Sequence, residues 1–556
     1  MRSIFNLWGA TDVGLVAKLP DVKFLPGLRI LQLGDRHTAV LTTVILPVIA
    51  INAIMLAYWI LIYPTFISPI RNLPKPKWFL ARLVYSRFVR QETQGQLFAD
   101  IVKDTPNDGL LSLPDIAKNR LLVTTTPLIA DLLVHHPYDF IKPQNVRNFM
   151  RHFLGDGLII AEAEQHKFLR KNSQRAFNHR HIQDLYPMMW KKAVALGEEI
   201  EADIRRQQGA MVAASGHLTG KADMSSWASK VTFDVIGIAG LGHDFNLLQH
   251  SDDQLAQDYE AVTGPHMLLY FVLSMWLSFR LVQMLPWEKE RLFKRKTKSL
   301  KQICRQLIRR KKEAIEEKGD EHFDILSLLI KSGNFSDSEL SDQLLTYLVA
   351  GHDTASATLT WACYLLAQHP TWQGAVRNEV RTSLSPEAGD KGIANTLESL
   401  PVLNGVLNET LRLFPTVPVT TRVAACDTTL GGQPIPKGTE VLLSPWLINR
   451  SPSLWGPTAG TFDPNRWVED GRPNNTGGSR NNYQFMTFLH GPRSCIGRDF
   501  AKAELRCLLA AVAYRFEWKL GMDEKDVIPA GAITIKPQKG LHLSMKVVEP
   551  GHPQEP

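Results

Sequence analysis

The sequence predicts a mainly α fold with a small β part, preceded by one N-terminal transmembrane helix. Three observations support this prediction. Long segments of helical periodicity are separated by short strand-like runs, and residues 39–63 carry no charge. Hydrophobic residues make up 44% of the chain and charged residues 21%, which is ordinary globular composition. Together these features exclude a disordered chain, a collagen-like fibre and a polytopic membrane protein.

Charge and cysteine content narrow the classes of protein further. The 556 residues include 63 Lys and Arg against 55 Asp and Glu, a net charge of +8. This weak excess suits an anionic membrane surface or an acidic protein as well as nucleic acid. The five cysteines lack CxxC spacing, which argues against a disulfide framework or a structural zinc site. We therefore expect reduced thiols in a reducing compartment.

The N-terminal region divides into three segments. Residues 1–38 mix apolar and charged positions, a pattern that suits the membrane surface. Residues 39–63 would form a helix roughly 37 Å long, enough to cross a bilayer. A buried core helix is the alternative, but core helices seldom run this far without a polar face. Residues 64–77 are rich in proline, which predicts a stiff, non-helical hinge before the body at 78–556.

No repeat or long linker divides residues 78–556, so they are expected to form one domain. Apolar periodicity predicts its strongest helices at 185–206, 226–241, 292–317, 338–368, 403–414 and 499–514. Strand-like runs are found at 120–126, 428–439, 441–444 and 542–547. Loops rich in Gly, Ser and Asn are expected at 207–221 and 471–482.

Two further segments bear on membranes. Residues 267–285 are apolar but short for a span and interrupted by Arg280, so a membrane-dipping or core segment is expected. Residues 291–312 hold many Lys and Arg at helical spacing. A solvated helix face is the plainer interpretation of this basic run, and docking to anionic lipid or to an acidic protein is the alternative.

The segment that carries chemistry surrounds Cys495. This cysteine lies between glycines, close to Arg493 and just before the predicted helix at 499–514. A nearby cation and a helix N-terminus both favour a thiolate. Gly491 and Gly497 allow close approach to a flat group and leave backbone N–H groups for the sulfur. Thiolate ligation of haem iron needs these features.

From Phe488 to Gly497 the sequence resembles the haem loop of the cytochrome P450 family, F-x-x-G-x-R-x-C-x-G, at all five fixed positions. The resemblance implies the P450 fold and haem b, iron protoporphyrin IX. Cys495 would be the axial ligand of the iron, and Phe488, Gly491, Arg493 and Gly497 would surround the cofactor.

Three more segments match family motifs in the family's order. Glu409-Thr-Leu-Arg412 matches E-x-x-R, and Arg466 follows in a segment that resembles the source of a third partner. The resemblance implies that these three residues brace the core on the haem side. The run Ala-Gly-His-Asp353-Thr354 matches the oxygen-activation motif, which implies that Asp353 and Thr354 serve proton delivery.

The remaining haem and substrate contacts follow from the same resemblance. His166 and Arg170 fit the family's W-x-x-x-R, with His where Trp is usual. Together with Arg422 and Arg493 they are expected to bind the two haem propionates. Mostly apolar segments at 417–421 and 531–534 are expected to line the substrate pocket. The pocket residues are predicted to be Ala350, Val417, Val419, Thr420 and Ile533.

The implied reaction is NADPH-driven monooxygenation of a lipophilic small molecule, a terpenoid or polyketide intermediate of fungal secondary metabolism. No nicotinamide or flavin fingerprint is visible, so electrons would come from NADPH–cytochrome P450 reductase, with cytochrome b5 as a second partner. The body would face the cytosol at the endoplasmic reticulum membrane, with no nucleic-acid partner. A haem-thiolate isomerase or dehydratase and a non-catalytic haem-binding protein are the alternatives. The Asp353-Thr354 pair argues against the isomerase or dehydratase.

Overall fold

The computed structural model describes residues 46–114, 119–208, 218–250, 253–274, 279–284, 286–318, 324–384, 392–531 and 533–548. The chain separates into two compact units, residues 1–62 and residues 63–556. Of the first unit, residues 46–62 are described. In the second unit helices predominate and strands are short, which confirms the predicted mainly α fold with a small β part.

Helices account for most of the described chain. Those of the first half are α1 Leu46–Ala57, α2 Phe79–Tyr85, α3 Gln94–Asp104, α4 Thr126–Ala130, α5 Gln144–Leu154, α6 Ala163–Ser173, α7 His179–Gln208, α8 Met224–Ile236, α9 Gln254–Thr263, α10 Leu268–Leu273 and α11 Phe279–Met284. Those of the second half are α12 Glu288–Lys318, α13 Ile325–Lys331, α14 Asp337–Gln368, α15 Pro370–Ser383, α16 Ile393–Ser399, α17 Pro401–Leu413, α18 Pro445–Asn449, α19 Pro452–Trp455 and α20 Arg498–Arg515.

The described strands form one five-stranded sheet and several smaller ones. They are β1 Leu110–Leu113, β2 Arg120–Val123, β3 Phe140–Ile141, β4 Thr219–Asp223, β5 Thr420–Ala424, β6 Thr428–Leu430, β7 Gln433–Ile435, β8 Glu440–Leu443, β9 Val468–Glu469, β10 Arg472–Pro473, β11 Phe516–Leu520, β12 Pro529–Ala530, β13 Lys536–Pro537 and β14 His542–Val547. The largest sheet has the order β1-β2-β8-β5-β3, and β11-β14-β4 form a second sheet. Most neighbours are antiparallel, whereas β2 and β8 are parallel.

Helix α14 is the central element of the body. Ser336 and Glu339 form a capping box at its N-terminus, in which each side chain accepts from the other's backbone N–H. Most of its side chains are buried against α8, α12 and α20, and Trp361 is fully enclosed. A long helix held on several sides can position polar groups within the core, because its backbone satisfies its own hydrogen bonds.

Three segments differ from the sequence predictions. Helix continues past Pro64, as the π-helix Tyr58–Ile67, where the Ser68 N–H reaches the Tyr63 carbonyl at 2.8 Å. This wider turn has i→i−5 bonds, so the hinge predicted at 64–77 begins later than its first proline. The predicted loop 207–221 includes part of β4, which pairs with β14. The predicted run 428–439 is two strands joined by Gly431 and Gly432, both at positive φ.

The predicted anchor at 39–63 lies partly outside the described residues. Of that span, α1 and the first turns of the π-helix that follows it are described. Across the described parts of the chain, no helix combines the length and the apolar character needed to cross a membrane.

The apolar segment at 267–285 is partly buried. Among its described residues, Tyr270 and Val282 are fully enclosed in the core, which agrees with the core alternative. Leu269, Val272 and Met284 point outward instead, and Met284 is 78% exposed. The segment therefore presents apolar side chains on both of its faces.

Candidate functional site

The loop before α20 presents Cys495 at its end. The Cys495 N–H donates to the Phe488 carbonyl at 2.8 Å, and the Ser494 N–H donates to the Gly491 carbonyl at 3.0 Å. Gly491 has φ 76°, and a Cβ at that position would overlap the Leu133 carbonyl oxygen. Cys495 is exposed. The hydrogen bonds across the loop hold its thiol in one place and leave it accessible to a ligand.

Arg170 and Arg498, not Arg493, provide the positive charge near the sulfur. Although Cys495 is accessible, many protein atoms surround its thiol, and this desolvation raises the pKa; the Gly497 N–H and the charges of Arg170 and Arg498 lower it, leaving the pKa above its usual value. Arg170 also donates to the Ser494 carbonyl at 2.6 Å, which ties α6 to the loop. Arg493, which we expected to favour the thiolate, is not among the charges that act on the thiol; its guanidinium pairs with Glu162 instead.

Arg493 instead joins a buried polar cluster with α6. It forms an ion pair with Glu162 and donates to the Pro137 carbonyl. His166 is buried nearby, with Nδ1 3.3 Å from the Tyr138 hydroxyl, and the Arg493 guanidinium lies 4.7 Å from the centre of the Tyr138 ring. The structure therefore brings Arg493 and His166 together, and it adds Glu162 and Tyr138, which no motif in the sequence indicates.

The same cluster holds more positive than negative charge. Burial, with the charges of Arg422 and Arg493, lowers the pKa of Lys142 to about 7 despite Glu162. Burial and Arg493 likewise lower the pKa of Arg422 to about 10. Glu162 is the one carboxylate whose charge raises the pKa of both Lys142 and Arg422. Buried cations without enough counter-charge are costly, so the cluster fits an anionic group such as two propionates.

Haem fits this set of residues. The Arg493 Nε is buried and has no hydrogen-bond partner among the described residues, so a donor remains for a ligand. Cys495 offers a thiol, and Arg422, Arg493, Lys142 and His166 offer donors for carboxylates. When bound, haem would be held by Cys495 through its iron and by these side chains through its propionates.

One face of α14 is open within the body. Ala350 is exposed and Thr354 is half-buried, although most of the helix is buried. The Thr354 hydroxyl donates to the Ala350 carbonyl at 2.8 Å. Its oxygen therefore keeps lone pairs that can accept from a water. A Cβ at Gly351 would lie 2.9 Å from Ile236 of α8, so glycine also permits close helix packing there.

Asp353 is held as an ion pair. The Lys536 Nζ lies 2.6 Å from Asp353 Oδ1, and the Thr534 hydroxyl donates to Oδ2. Burial raises the pKa of Asp353, but Lys536, His352 and Thr534 together bring it below its usual value. Asp353 is therefore held as a carboxylate, which can accept hydrogen bonds from water but has no proton of its own to supply.

The two predicted pocket segments meet beside α14. The Ile535 N–H donates to the Thr416 carbonyl at 2.9 Å, and the Trp361 indole of α14 donates to the Ile535 carbonyl at 3.0 Å. Ile533 is 47% exposed. Val417, Val419 and Thr420 are half-buried, and Thr420 also accepts from Arg422 at 3.0 Å.

Glu409 and Arg412 form a fully buried pair on α17. Arg412 Nη2 lies 2.6 Å from Glu409 Oε1 and Arg412 Nε 2.8 Å from Oε2, and both side chains are 0% exposed. Arg466 Nε lies 3.5 Å from Glu409 Oε1, a charge contact longer than a hydrogen bond. The Trp467 indole donates to Oε2 at 2.9 Å. The structure thus brings together the three residues selected from the sequence, with Trp467 as a further donor.

The fold and the thiol loop define a haem-thiolate protein, and comparison with known proteins agrees. The family model described as "Cytochrome P450" matches residues 74–544. The chain belongs to the cytochrome P450 family, and it is a cytochrome P450 monooxygenase. The family implies a haem-thiolate cofactor and a redox partner.

Similar proteins come from several fungi. The chain is 39% identical to cytochrome P450 monooxygenase sphH of Aspergillus fumigatus, over 99% of this chain and all of that protein. It is 35% identical to cytochrome P450 monooxygenase ptmK of Penicillium ochrochloron, over 90% of this chain and 98% of that protein. The crystal structure of the cytochrome P450DA heme domain is similar in fold, with a TM-score of 0.69 at 21% identity, over 86% of this chain and 98% of that one.

The burial of His166 makes stability depend on pH. Burial, Lys142 and Arg493 lower the pKa of His166 to about 4 from its usual 6.5. Between these values the unfolded chain binds a proton that the folded chain excludes. This contribution to stability is complete above the usual pKa and is lost as the pH falls towards about 4.

We therefore expect the melting temperature of His166→Phe to fall less than that of the parent between neutral pH and about pH 5. The exposed His250→Phe serves as the control and should behave as the parent does. Thermal unfolding of the full chain measures the difference. If the melting temperature fell with pH by the same amount in His166→Phe and in the parent, His166 would not be held neutral in the fold.

Proposed function

We propose that the chain oxidises a lipophilic small molecule of fungal secondary metabolism with O2 and with electrons from NADPH. The observation that carries this proposal is the exposed Cys495 thiol inside a body that also holds a buried surplus of cations. Haem bound there supplies O2 activation and C–H oxidation. The relatives found in filamentous fungi support the same class of enzyme.

The chain's own residues would position the cofactor and exclude water. Arg422, Arg493, Lys142 and His166 would bind the propionates, and Arg170 would fix the loop through Ser494. The half-buried apolar side chains of Val417 and Val419 would orient a lipophilic substrate by shape. A terpenoid or polyketide fits such a lining, and this substrate class rests on that apolar character.

Proton delivery would run along α14. The Asp353 carboxylate, held by Lys536, would accept a hydrogen bond from one water and the Thr354 hydroxyl would accept from another, so that protons from solvent would pass along these waters. Thr534 fixes the second carboxylate oxygen. This arrangement favours a monooxygenase over a haem-thiolate isomerase or dehydratase, because those reactions consume no protons from the enzyme's surroundings.

Removal of the Thr354 hydroxyl should uncouple electron use from oxidation. Thr354→Ala should still take up haem and consume NADPH, but release more hydrogen peroxide for each molecule of product. General acid delivery is worth about 10²–10⁴-fold. Water can substitute in an open pocket, so we expect the lower end of that range or less. The measurement is product and peroxide formed per NADPH consumed.

Thr358→Ala is the matched control, since Thr358 makes the same type of bond to a carbonyl one turn further on, at 2.9 Å. Its ratio of product to NADPH should stay close to that of the parent. An unchanged ratio in Thr354→Ala would remove Thr354 from proton delivery.

We infer that the body is attached to the endoplasmic reticulum membrane through residues 39–63 and works in the cytosol. The apolar residues Val48, Ile51 and Ile54 of α1 are each more than half exposed, as expected for a surface that lipid would cover. NADPH–cytochrome P450 reductase would be the electron donor and cytochrome b5 a second partner, because the sequence carries no flavin or nicotinamide fingerprint.

Deletion of residues 1–70 should release much of the chain from membranes while haem stays bound, because the body holds the thiol loop and the cation cluster. Resistance to carbonate extraction and haem absorbance measure the two properties. Weak residual binding through 267–285 is compatible with a single anchor. A truncated chain that resists carbonate as fully as the parent would contradict it.

The substrate is found most directly by trial oxidation. Microsomes that contain the full chain are incubated with candidate lipophilic compounds, NADPH and O2, and products are identified by mass spectrometry. A product heavier by one oxygen that requires NADPH supports the proposal. A product formed without NADPH would favour the isomerase or dehydratase, and haem binding without any turnover would favour a non-catalytic protein.

A further inference from the structure

A pocket of about 270 Å³ lies between α5 and α12. None of its lining residues belongs to the site around Cys495. Its walls are His152, Phe293, Lys294, Thr297, Lys298, Lys301 and Arg305. Except for His152 these residues come from α12, at intervals of three and four that place them on one helix face.

The lining holds four Lys and Arg side chains and no carboxylate. Lys294 is paired with Glu290 at 2.8 Å. Lys298, Lys301 and Arg305 have no carboxylate within ion-pair distance in the described parts of the chain. Like charges three or four residues apart on a helix repel each other, and a bound anion offsets that repulsion. The pocket therefore favours a negatively charged occupant.

Several other cations of the same helix are paired. Lys296 lies 2.7 Å from Asp258, Lys311 lies 2.5 Å from Asp324, and Lys312 contacts Asp337. The charges of Lys301 and Arg305 act on Asp342 and lower its pKa, but burial of its carboxyl outweighs them and raises the pKa. The hydrogen-bond donor to this carboxyl is the Asp156 N–H, at 2.8 Å. Lys298, Lys301 and Arg305 are thus unpaired cations that line one pocket, whereas the exposed arginines elsewhere on the helix do not line it.

A buried hydroxyl provides an independent sign of a ligand. Thr297 is 7% exposed, and its Oγ1 has no hydrogen-bond partner among the described residues. Buried polar atoms are rarely left unpaired, so an acceptor in the pocket would satisfy this donor. A phosphate group can accept from a hydroxyl and from several cations at once.

The surroundings of the pocket are apolar. Phe279 of α11 contacts the His152 ring at a centroid distance of 4.3 Å, and Tyr270 of α10 contacts Phe293 at 5.2 Å. These two helices also carry the outward-facing Leu269, Val272 and Met284. Exposed apolar side chains beside a basic pocket match the boundary between acyl chains and headgroups in a membrane.

We propose that this pocket binds the phosphate of an anionic membrane lipid. Lys298, Lys301 and Arg305 supply the charge, Thr297 donates a hydrogen bond, and the apolar side chains of α10 and α11 contact the acyl region. The site does not depend on the proposed reaction, and its failure would leave that reaction untouched.

The test uses the full chain in detergent with short-chain phosphatidic acid as the probe, and short-chain phosphatidylcholine and inorganic phosphate for comparison. Calorimetry should show one site for phosphatidic acid and much weaker binding of the other two. Each cation is worth roughly fivefold in affinity for anionic lipid, so Lys298→Gln, Lys301→Gln and Arg305→Gln together should weaken binding on the order of a hundredfold. Thr297→Val should weaken it roughly three- to tenfold.

The matched control neutralises three exposed arginines of α12 outside the pocket, as Arg291→Gln, Arg295→Gln and Arg310→Gln. It makes the same change in net charge and should bind nearly as the parent does. Phosphatidic acid should slow hydrogen exchange within α12 in the parent and in the control. This slowing should be lost in the triple variant of Lys298, Lys301 and Arg305. Equal loss in both triple variants, or equal binding of phosphatidic acid and phosphatidylcholine, overturns the proposal. If inorganic phosphate binds as tightly as phosphatidic acid does, the assignment of the pocket to a lipid is overturned.

Discussion

Replacement of Cys495 by Ala is expected to abolish the red-shifted thiolate band of the ferrous–CO complex. Cys495 is exposed at the end of a loop fixed by its bond to the Phe488 carbonyl, and Arg170 and Arg498 stabilise negative charge on its sulfur. No neighbouring residue of the loop offers a second sulfur. The effect should therefore be complete rather than partial, and a difference spectrum of the reduced protein with CO measures it.

The other cysteines serve as controls. Cys304, Cys363 and Cys507 are buried in the core, where no ligand can reach their sulfur atoms, whereas Cys495 is accessible. Cys426 is exposed but follows β5, away from the thiol loop in sequence. Alanine at each should preserve the band. Retention of the band in Cys495→Ala, with its loss in one of these four, would contradict the assignment.

Glu409→Ala is expected to lower stability by about 3–5 kcal/mol. The change leaves the fully buried Arg412 without its carboxylate and takes an acceptor from the Trp467 indole. Arg412 keeps its bonds to the Asn449 and Ala459 carbonyls, but these carry no full negative charge. Little haem-loaded protein should accumulate, as judged by denaturant unfolding and by haem absorbance per chain.

The exposed pair Arg309–Glu313 gives a matched control on α12. It joins an arginine and a glutamate four residues apart at 2.9 Å, with side chains 83% and 53% exposed. Surface pairs of this kind contribute about 0–1 kcal/mol, so Glu313→Ala should have a small effect. Comparable losses of stability in Glu313→Ala and Glu409→Ala would show that burial of the Glu409–Arg412 pair does not increase its contribution.

The sequence predicted the long helices better than the short strands. Apolar periodicity over more than twenty residues identified α7, α12 and α14, because such helices bury a continuous stripe. The first three residues of β4, 219–221, were predicted as loop. Its residues Thr-Gly-Lys-Ala-Asp have little strand character of their own, and they are held by pairing with β14, more than three hundred residues later. Local pattern cannot report a partner so distant along the chain.

For the site, motifs identified the residues on one loop or one helix, but not the charge partners that tertiary structure adds. Glu162 pairs with Arg493 across more than three hundred residues, and Lys536 reaches Asp353 from a strand near the C-terminus. Neither contact leaves a spacing signal in the sequence. Arg493 was expected to favour the Cys495 thiolate because it is close in sequence, but Arg170 and Arg498 are the cations that act on the thiol.

Isotopically labelled O2 tests most directly whether the chain inserts oxygen from O2 into its substrate. The full chain is reconstituted with NADPH–cytochrome P450 reductase and a substrate found by trial oxidation, and the product is analysed by mass spectrometry. We expect the product to carry one labelled oxygen atom, and we expect none to form without NADPH. A product that carries no label, or one formed equally well without O2, would contradict monooxygenation by this chain.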